Sequence, residues 1–372
     1  MTSIIYVGMD VHTTNYTLCC YSMEDDRFFA EVQVEPDAKN ILKYLARIEK
    51  QQSRDCRIVC GYEAGCLGYS LYHQLHAHGI DCVILAPTTM MTKPDKRIKT
   101  DRRDARLISK CLAFHTYSPV YIPTEVDDAV KEYIRMRDDA NSALARVKQQ
   151  IIAFCIRHGK IHDGKSYWTN KHLEWLSSLD LGNKILSEVL QEYLIRYYQL
   201  REQVDMYDMR INELAQAEPY RQKVEKLGCF RGIAAHTALS FCVEVGDFRR
   251  FATAQQFASY LGLVPGECSS GDKQQYTGIT KAGNSHLRKL LVETAQVFGR
   301  SATKSGKSVA LKERQAKCDS LTVAYADKAN ARLKKKYFKI AMRSKVNIAK
   351  TAVAREMACF IWGMMTDNIS CA

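Results

Sequence analysis

Between residues 124 and 218 the chain contains no proline and only three glycines, while leucine, isoleucine, tyrosine and charged side chains recur at helical intervals. Proline costs ~3 kcal/mol inside a helix and glycine about 1, so a stretch so poor in breakers predicts long helices. The basic segment at 158–171 divides two of them. Leu190, Leu194, Tyr197 and Leu200 lie on one side of the second, which predicts either a coiled-coil-like arm over 186–215 or a plain helical bundle. A helical centre of this kind separates the N-terminal part of the chain from the C-terminal part. At ~150 residues per domain, 372 residues hold two or three units, and the divisions expected are 1–123, 124–219 and 220–372.

Ahead of this region the pattern has period two. Residues 4–20 read IIYVGMDVHTTNYTLCC, a β-branched and apolar run broken around Gly8 and Asp10. A further run at 28–34 follows the acidic turn at 24–26, and Ile41, Leu42, Leu45 and Ile48 then mark a helix. Short apolar strands at 57–62 and 82–86 alternate with a helix at 67–78. The prediction is an α/β layer with a mixed sheet: three antiparallel strands, then strand and helix in turn.

Beyond position 220, residues 226–245 (KLGCFRGIAAHTALSFCVEV) read as two helices joined by a turn at Gly228 and Gly232. That resembles a helix-hairpin-helix, whose turn amides can hold a phosphate. Ala234 and Ala235 stand where a second glycine often occurs, which weakens the likeness. Charge is concentrated here. The chain carries a net charge of +13, and residues 301–355 hold 15 Lys and Arg against three acids, a net of +12. Such a block predicts a polyanionic partner. No uncharged apolar run approaches the ~18 residues of a membrane span, and the first residues lack a signal pattern. A soluble, unexported protein without a membrane partner is expected. The fourteen cysteines are scattered without paired CxxC spacing, so they read as reduced thiols and core fillers.

Four acids attract attention. Asp10 ends the first strand, Glu63 ends a later one, and Asp101 and Asp104 fall three residues apart in TDRRDARLISKCLA, on one side of a helix start. An ordinary cap and a dipole partner would account for the last two alone. Four carboxylates gathered at the ends of neighbouring elements would repel one another unless cations stood between them. Hard oxygen ligands in that number suit one or two Mg²⁺ or Mn²⁺ ions. A phosphodiester site is the natural consequence, because paired metals can activate an attacking oxygen and stabilise a leaving one. Lys93, Lys96, Arg97, Lys99, Arg102, Arg103, Arg106 and Lys110 surround the pair and would draw in phosphates.

Taken together, VGMDVH, YEAGCLGY, KTDRRDARLIS, GIAAHTALSF, FASYLGLVPGECSSG and GITKAGNSHLRKLLVE resemble the DEDD-type transposases of bacterial insertion sequences, relatives of the Piv DNA invertase. The resemblance spans nearly the whole chain. It implies an RNase H/RuvC-like mixed-sheet domain with Asp10, Glu63, Asp101 and Asp104 as metal ligands. A helical coiled-coil linker and a mostly helical C-terminal domain would come after it. It further implies a serine nucleophile ahead of a glycine, here Ser270 before Gly271, with Ser269 its close rival. A serine hydroxyl is a poor nucleophile unless activated, and the acids of the first domain are the candidate activators. Also implied are donor and target DNA as substrates, a structured element-encoded guide RNA, and a dimer or tetramer pairing one subunit's acids with another's serine. Lys273, Lys281 and Arg288 are expected as phosphate contacts, within a dense polar set that includes Asn284 and His286.

The alternative enzyme is a Holliday-junction-type nuclease using the carboxylates and water alone. GMDVH also resembles the first phosphate loop of ATP-dependent sugar kinases of the actin-like fold, but their second glycine-rich phosphate loop is absent from this chain, and its charge would have no role there. A non-catalytic nucleic-acid-binding protein is the remaining class.

Overall fold

Ile5, Val7 and Met9 alternate with Tyr6, Gly8 and Asp10 along the first strand, and this alternation organises the N-terminal layer. The computed structural model describes residues 3–51, 56–90, 100–267, 275–300 and 306–369. Lys93, Lys96, Arg97, Lys99, Ser269, Ser270 and Lys273 lie outside the described residues. The chain divides into two compact units, Met1–Ile122 and Pro123–Ala372.

In the first unit, β1 (Ser3–Val11), β2 (Tyr16–Ser22), β3 (Arg27–Val34), β4 (Cys56–Glu63) and β5 (Asp81–Leu85) form one sheet in the order β3-β2-β1-β4-β5. β1 runs antiparallel to β2 and parallel to β4, and β4 runs parallel to β5. This is the mixed sheet expected of an RNase H/RuvC-like domain. Strands paired in parallel need both faces covered. On one face Ile5, Val7, Met9, Leu18 and Cys60 pack with Ile41, Leu45 and Ile48 of α1 (Ala38–Gln51) and Leu71 and Leu75 of α2 (Ser70–Ala77). On the other, Tyr6, Tyr21 and Leu85 pack with Ile108, Cys111 and Leu112 of α3 (Asp101–Ala113).

The approach of α3 is set by two glycines that pair across the sheet, Gly8 and Gly61. A Cβ on Gly8 would stand 2.0 Å from the carbonyl oxygen of Ala105 and 2.4 Å from the amide of Ser109. One on Gly61 would meet Leu112 and Leu85 at 2.8 Å. The helix backbone thus lies directly on β1, and the sheet cannot accept a side chain there. Gly8→Ala is expected to cost about 3 kcal/mol by overpacking, read as a lower urea midpoint. A midpoint equal to wild type would mean that α3 does not sit this close.

Among the described residues the second unit is helical apart from one short antiparallel strand pair. Two 33-residue helices, α4 (Glu125–Arg157) and α6 (Lys184–Gln216), pack on each other and carry α5 (Asn170–Ser177) between them. Thr124, Thr169 and Asn183 cap the three N-termini with side-chain oxygens. Leu190, Leu194 and Tyr197, the expected arm face, are buried in a cluster with Leu144, Val147, Ile151 and Phe154 of α4. That face is therefore packed on the chain's own helix α4.

The near ends of α4 and α6 contribute Val130, Ile134, Ile211 and Ala215 to a larger core. Around it gather α7 (Arg221–Gly228), α8 (Ala235–Val245), α9 (Ala254–Tyr260), α10 (Ser285–Gly299), α11 (Val309–Gln315), α12 (Ser320–Ala341) and α13 (Val346–Met365). Residues on either side of position 220 thus share one core. β6 (Pro265–Glu267) and β7 (Tyr276–Ile279) pair antiparallel and flank residues 268–274.

The helix pair α7–α8 has a glycine turn, but its polar groups are engaged within the chain. Gly232 has φ +86°, and a Cβ there would press on Thr294 at 2.9 Å. The Arg231 amide donates to Asn330 Oδ1 at 2.9 Å, Arg314 Nε donates to the Gly228 carbonyl at 2.9 Å, and Gln315 donates to the Cys229 carbonyl at 3.1 Å. These contacts dock the turn on its own domain.

Candidate active site

Asp10 lies one residue beyond the paired positions Met9 and Tyr62, so Glu63 occupies the matching place on the neighbouring strand. Both are two residues past the glycines that α3 covers, so strand alternation directs both to the α3 side of the sheet. There α3 begins. Thr100 is its N-cap, its side chain accepting from the Arg103 amide at 3.4 Å. Asp101 is thereby the first helical residue rather than the cap, and Asp104 comes one turn on. Both sit where the positive end of the helix favours carboxylates.

Oxygens of Asp10 and Asp101 and a ring nitrogen of His12 all fall within 4.8 Å of one another. Asp10 is only 14% exposed, and its Oδ2 is buried without a well-directed hydrogen bond, although His12 Nε2 stands 3.3 Å away. Burial pushes the Asp10 carboxyl above its usual range. His12 opposes this, while the charges of Asp104 and Asp101 add to it. A buried oxygen without a well-directed donor, close to the Asp101 carboxylate and under the charge of Asp104, is an arrangement that a cation would complete. The donor set fits a hard divalent ion with one imidazole at its margin. Glu63 is exposed at the end of its strand and lies outside the tight group formed by Asp10, His12 and Asp101.

His12 escaped the sequence reading, although it stands two residues after Asp10, just past the end of β1. The basic residues of α3 divide. Arg106 is bonded bidentately to Glu31 of β3, with Nη2 to Oε2 at 2.8 Å, and lies over Phe28. Arg102 and Arg103 are exposed.

A second polar centre lies in the other unit. His286, at the start of α10, donates from Nε2 to Asp138 of α4 at 2.7 Å and from Nδ1 to Glu244 of α8. His236 reaches Asp138 at 2.9 Å and Arg137 reaches it at 3.1 Å. Asn284, the N-cap of α10, donates to Glu244 at 2.6 Å. Glu244 is 3% exposed. Burial would lower the pKa of His286, but hydrogen bonds to Asp138 and Glu244 outweigh it and lift it to about 9. Burial likewise raises Asp138 and Glu244, and the same bonds more than reverse it, holding both below the usual carboxylate range. The centre is an imidazolium clamped between two carboxylates, tying three helices together.

Arg288 Nη1 donates to the carbonyls of Leu261 at 2.9 Å and Ala282 at 3.2 Å, so it braces the turn before α10. Lys281 is exposed in that turn, with φ +56°.

Among the described residues no helix is long and apolar enough to cross a membrane, and twelve cysteines are free thiols.

Comparison with known proteins gives these arrangements a common context. Residues 7–156 match a DEDD transposase domain, and residues 225–314 match the transposase IS116/IS110/IS902 family. The protein named "Putative transposase y4qE" of Sinorhizobium fredii is 35% identical over 307 residues, 82% of this chain and 75% of its own length. The transposase for insertion sequence element IS1533 of Leptospira borgpetersenii is 32% identical over 340 residues, 90% and 95% respectively. The corresponding protein for IS1111A of Coxiella burnetii is 26% identical over 268 residues, 68% and 71% respectively. The DEDD match suggests use of a divalent metal and spans Asp10, Glu63, Asp101 and Asp104. With similarity of this extent covering both units, the chain belongs to the IS116/IS110/IS902 transposase family.

Proposed function

We propose that this chain cuts and rejoins DNA strands to move its own insertion element, using the acid cluster of the first unit and Ser270. One observation supports the reading: the Asp10 and Asp101 carboxylates and the His12 ring come within 4.8 Å of one another around a buried carboxylate oxygen that lacks a well-directed hydrogen bond, and the charge of Asp104 adds to theirs. That arrangement is costly for a structural site and useful for one that holds a cation against phosphate.

Asp10, Asp101 and Asp104 would hold the ion, with Glu63 closing the group from the next strand. A Mg²⁺ or Mn²⁺ ion there would supply Lewis-acid stabilisation of phosphoryl oxygens. The remaining work falls to the chain. The α3 N-terminus orients Asp101 and Asp104, and exposed Arg102 and Arg103 draw the phosphate backbone toward them. The Ser270 hydroxyl attacks the phosphorus, forming a phosphoserine bond as the bond to the leaving strand oxygen breaks. A carboxylate accepts the serine proton, and the leaving oxygen takes one from solvent. Rejoining reverses these events with a new strand hydroxyl. The net charge of +13 suits two nucleic-acid partners, and guidance by an element-encoded RNA and assembly as a tetramer belong to the same reading.

Digestion of the protein–DNA adduct and mass spectrometry of its peptides tests the nucleophile. The nucleotide is expected on Ser270, and Ser270→Ala should lose the adduct while Ser269→Ala retains it. A nucleotide on Ser269 would reassign the role.

A further inference from the structure

The second unit holds a cavity of about 570 Å³ between the β6–β7 hairpin and α13, and the transposition reading gives it no task. Its walls are apolar: Leu263 below the hairpin, Ile279 on β7, and Ile348 and Ala352 on α13. Its rim carries three cations, Lys281, Lys336 and Arg355. The volume is that of a small-molecule site rather than a packing defect. Ile348 is 54% exposed, so the apolar wall opens to solvent.

The rim is held in place. The Lys281 amide donates to the Gly262 carbonyl at 3.1 Å, and the Thr280 amide donates to the Val264 carbonyl at 2.9 Å. A Cβ on Gly262 would stand 2.1 Å from the Ala282 carbonyl, so the turn presenting Lys281 is seated without slack. Lys336 Nζ lies 2.5 Å from Glu356, which also binds Arg332, so one carboxylate answers two cations.

An apolar slot rimmed by cations matches the chemistry of a nucleotide: a flat base to bury and phosphates on either side to neutralise. An apolar peptide would use the walls and leave the rim unmatched, whereas a duplex would use the rim and could not enter the slot. We infer that this cavity receives one unstacked base of a DNA single strand, with Lys281, Lys336 and Arg355 on the flanking phosphates. The inference rests on the transposition reading only for the identity of the strand, because β6 and β7 flank the segment that contains Ser270.

The test is equilibrium binding, carried out in the full-length protein carrying both Ser269→Ala and Ser270→Ala so that no covalent step contributes. A fluorescein-labelled single-stranded DNA from the element end is titrated, intact and with an abasic site at each position in turn. One abasic position is expected to weaken binding about tenfold. Ala352→Phe, which fills the slot from α13, should weaken the intact strand by a similar factor and abolish the dependence on that one base. Because Ala352→Phe could perturb folding, Lys281→Gln with Lys336→Gln provides a surface variant. It should lower the slope of log affinity against log salt by about 1.4, or ~0.7 per phosphate.

Equal effects of abasic sites at every position, or an unchanged response in Ala352→Phe and in the lysine pair, would overturn the proposal. So would an RNA strand of the same sequence that binds more tightly and carries the base dependence, since the slot would then belong to RNA. Loss of the Ser270 assignment would not alter these readings, because both serines are absent throughout.

Discussion

Asp10→Asn is expected to abolish strand cleavage and joining while leaving the metal-free protein as stable as wild type or more so. The asparagine keeps the shape of the side chain but removes one of the negative charges that raise one another there, where Oδ2 lacks a well-directed hydrogen bond. Relief of burial and repulsion of this kind is worth about 1 kcal/mol. The loss of activity should be far larger. Lewis-acid stabilisation of a phosphoryl transition state is worth several kcal/mol, and about 4 kcal/mol is roughly a thousandfold in rate. The two effects have opposite signs, which separates a metal-holding role from a structural one. Saturating Mg²⁺ or Mn²⁺ should raise the wild-type Tm by a few degrees, since a ligand at 100 times its Kd adds about 2.7 kcal/mol. Asp10→Asn should not respond. A variant that melts earlier than wild type without metal would make Asp10 a structural residue.

The largest stability effect is expected from His286. Its two nitrogens bind Asp138 and Glu244, and Glu244 is almost wholly buried. His286→Leu leaves that carboxylate with Asn284 as its remaining described partner. Breaking a buried ion pair by removing one member costs about 3–5 kcal/mol, enough to lower the urea midpoint of the second unit strongly.

The contribution should also depend on pH. A histidine raised to about 9 in the folded protein, from ~6.5 unfolded, binds more protons folded than unfolded between those values. Its stabilisation is complete below about pH 6.5 and is lost as pH rises through about 9. Asp138 and Glu244 are lowered, so their share is present above their unfolded values near 4 and is lost as pH falls below them. The difference between wild type and His286→Leu should therefore be greatest between about pH 4.5 and 6.5. Urea titrations of both proteins across pH 4 to 10 would measure it, and a constant difference would contradict the clamp.

Legibility in the chain tracks the range of the interactions. The period-two alternation of Ile5, Val7 and Met9 and the helical spacing of Asp101 and Asp104 are local signals, so the sheet and the acid pair were legible. Placing Asp10 with them required only that a strand end meet a helix start, which parallel α/β layers enforce. His12 was equally local, one residue past the end of β1.

Arg106 was different. As one of eight cations around an acid pair it looked like a phosphate contact, but its partner Glu31 lies 75 residues away on β3. The Asp138–His286–Glu244 clamp was beyond reach for the same reason, since its members are 148 and 42 residues apart and each alone resembles a surface polar residue. The stripe at Leu190, Leu194 and Tyr197 was correctly apolar, but periodicity does not say which helix it meets. Its partner proved to be α4 of the same chain. The docking of the α7–α8 turn by Arg314, Gln315 and Asn330 likewise depended on residues 86 to 99 positions away.

The most direct measurement incubates the protein with labelled donor DNA, its element-end RNA and Mg²⁺, and resolves the products on a denaturing gel. Protein-linked DNA is expected from wild type, and none from Asp10→Asn or Ser270→Ala. Cleavage that proceeds without a protein-linked product and is unchanged in Ser270→Ala would contradict the account, leaving a metal-dependent junction nuclease that uses water in place of the serine.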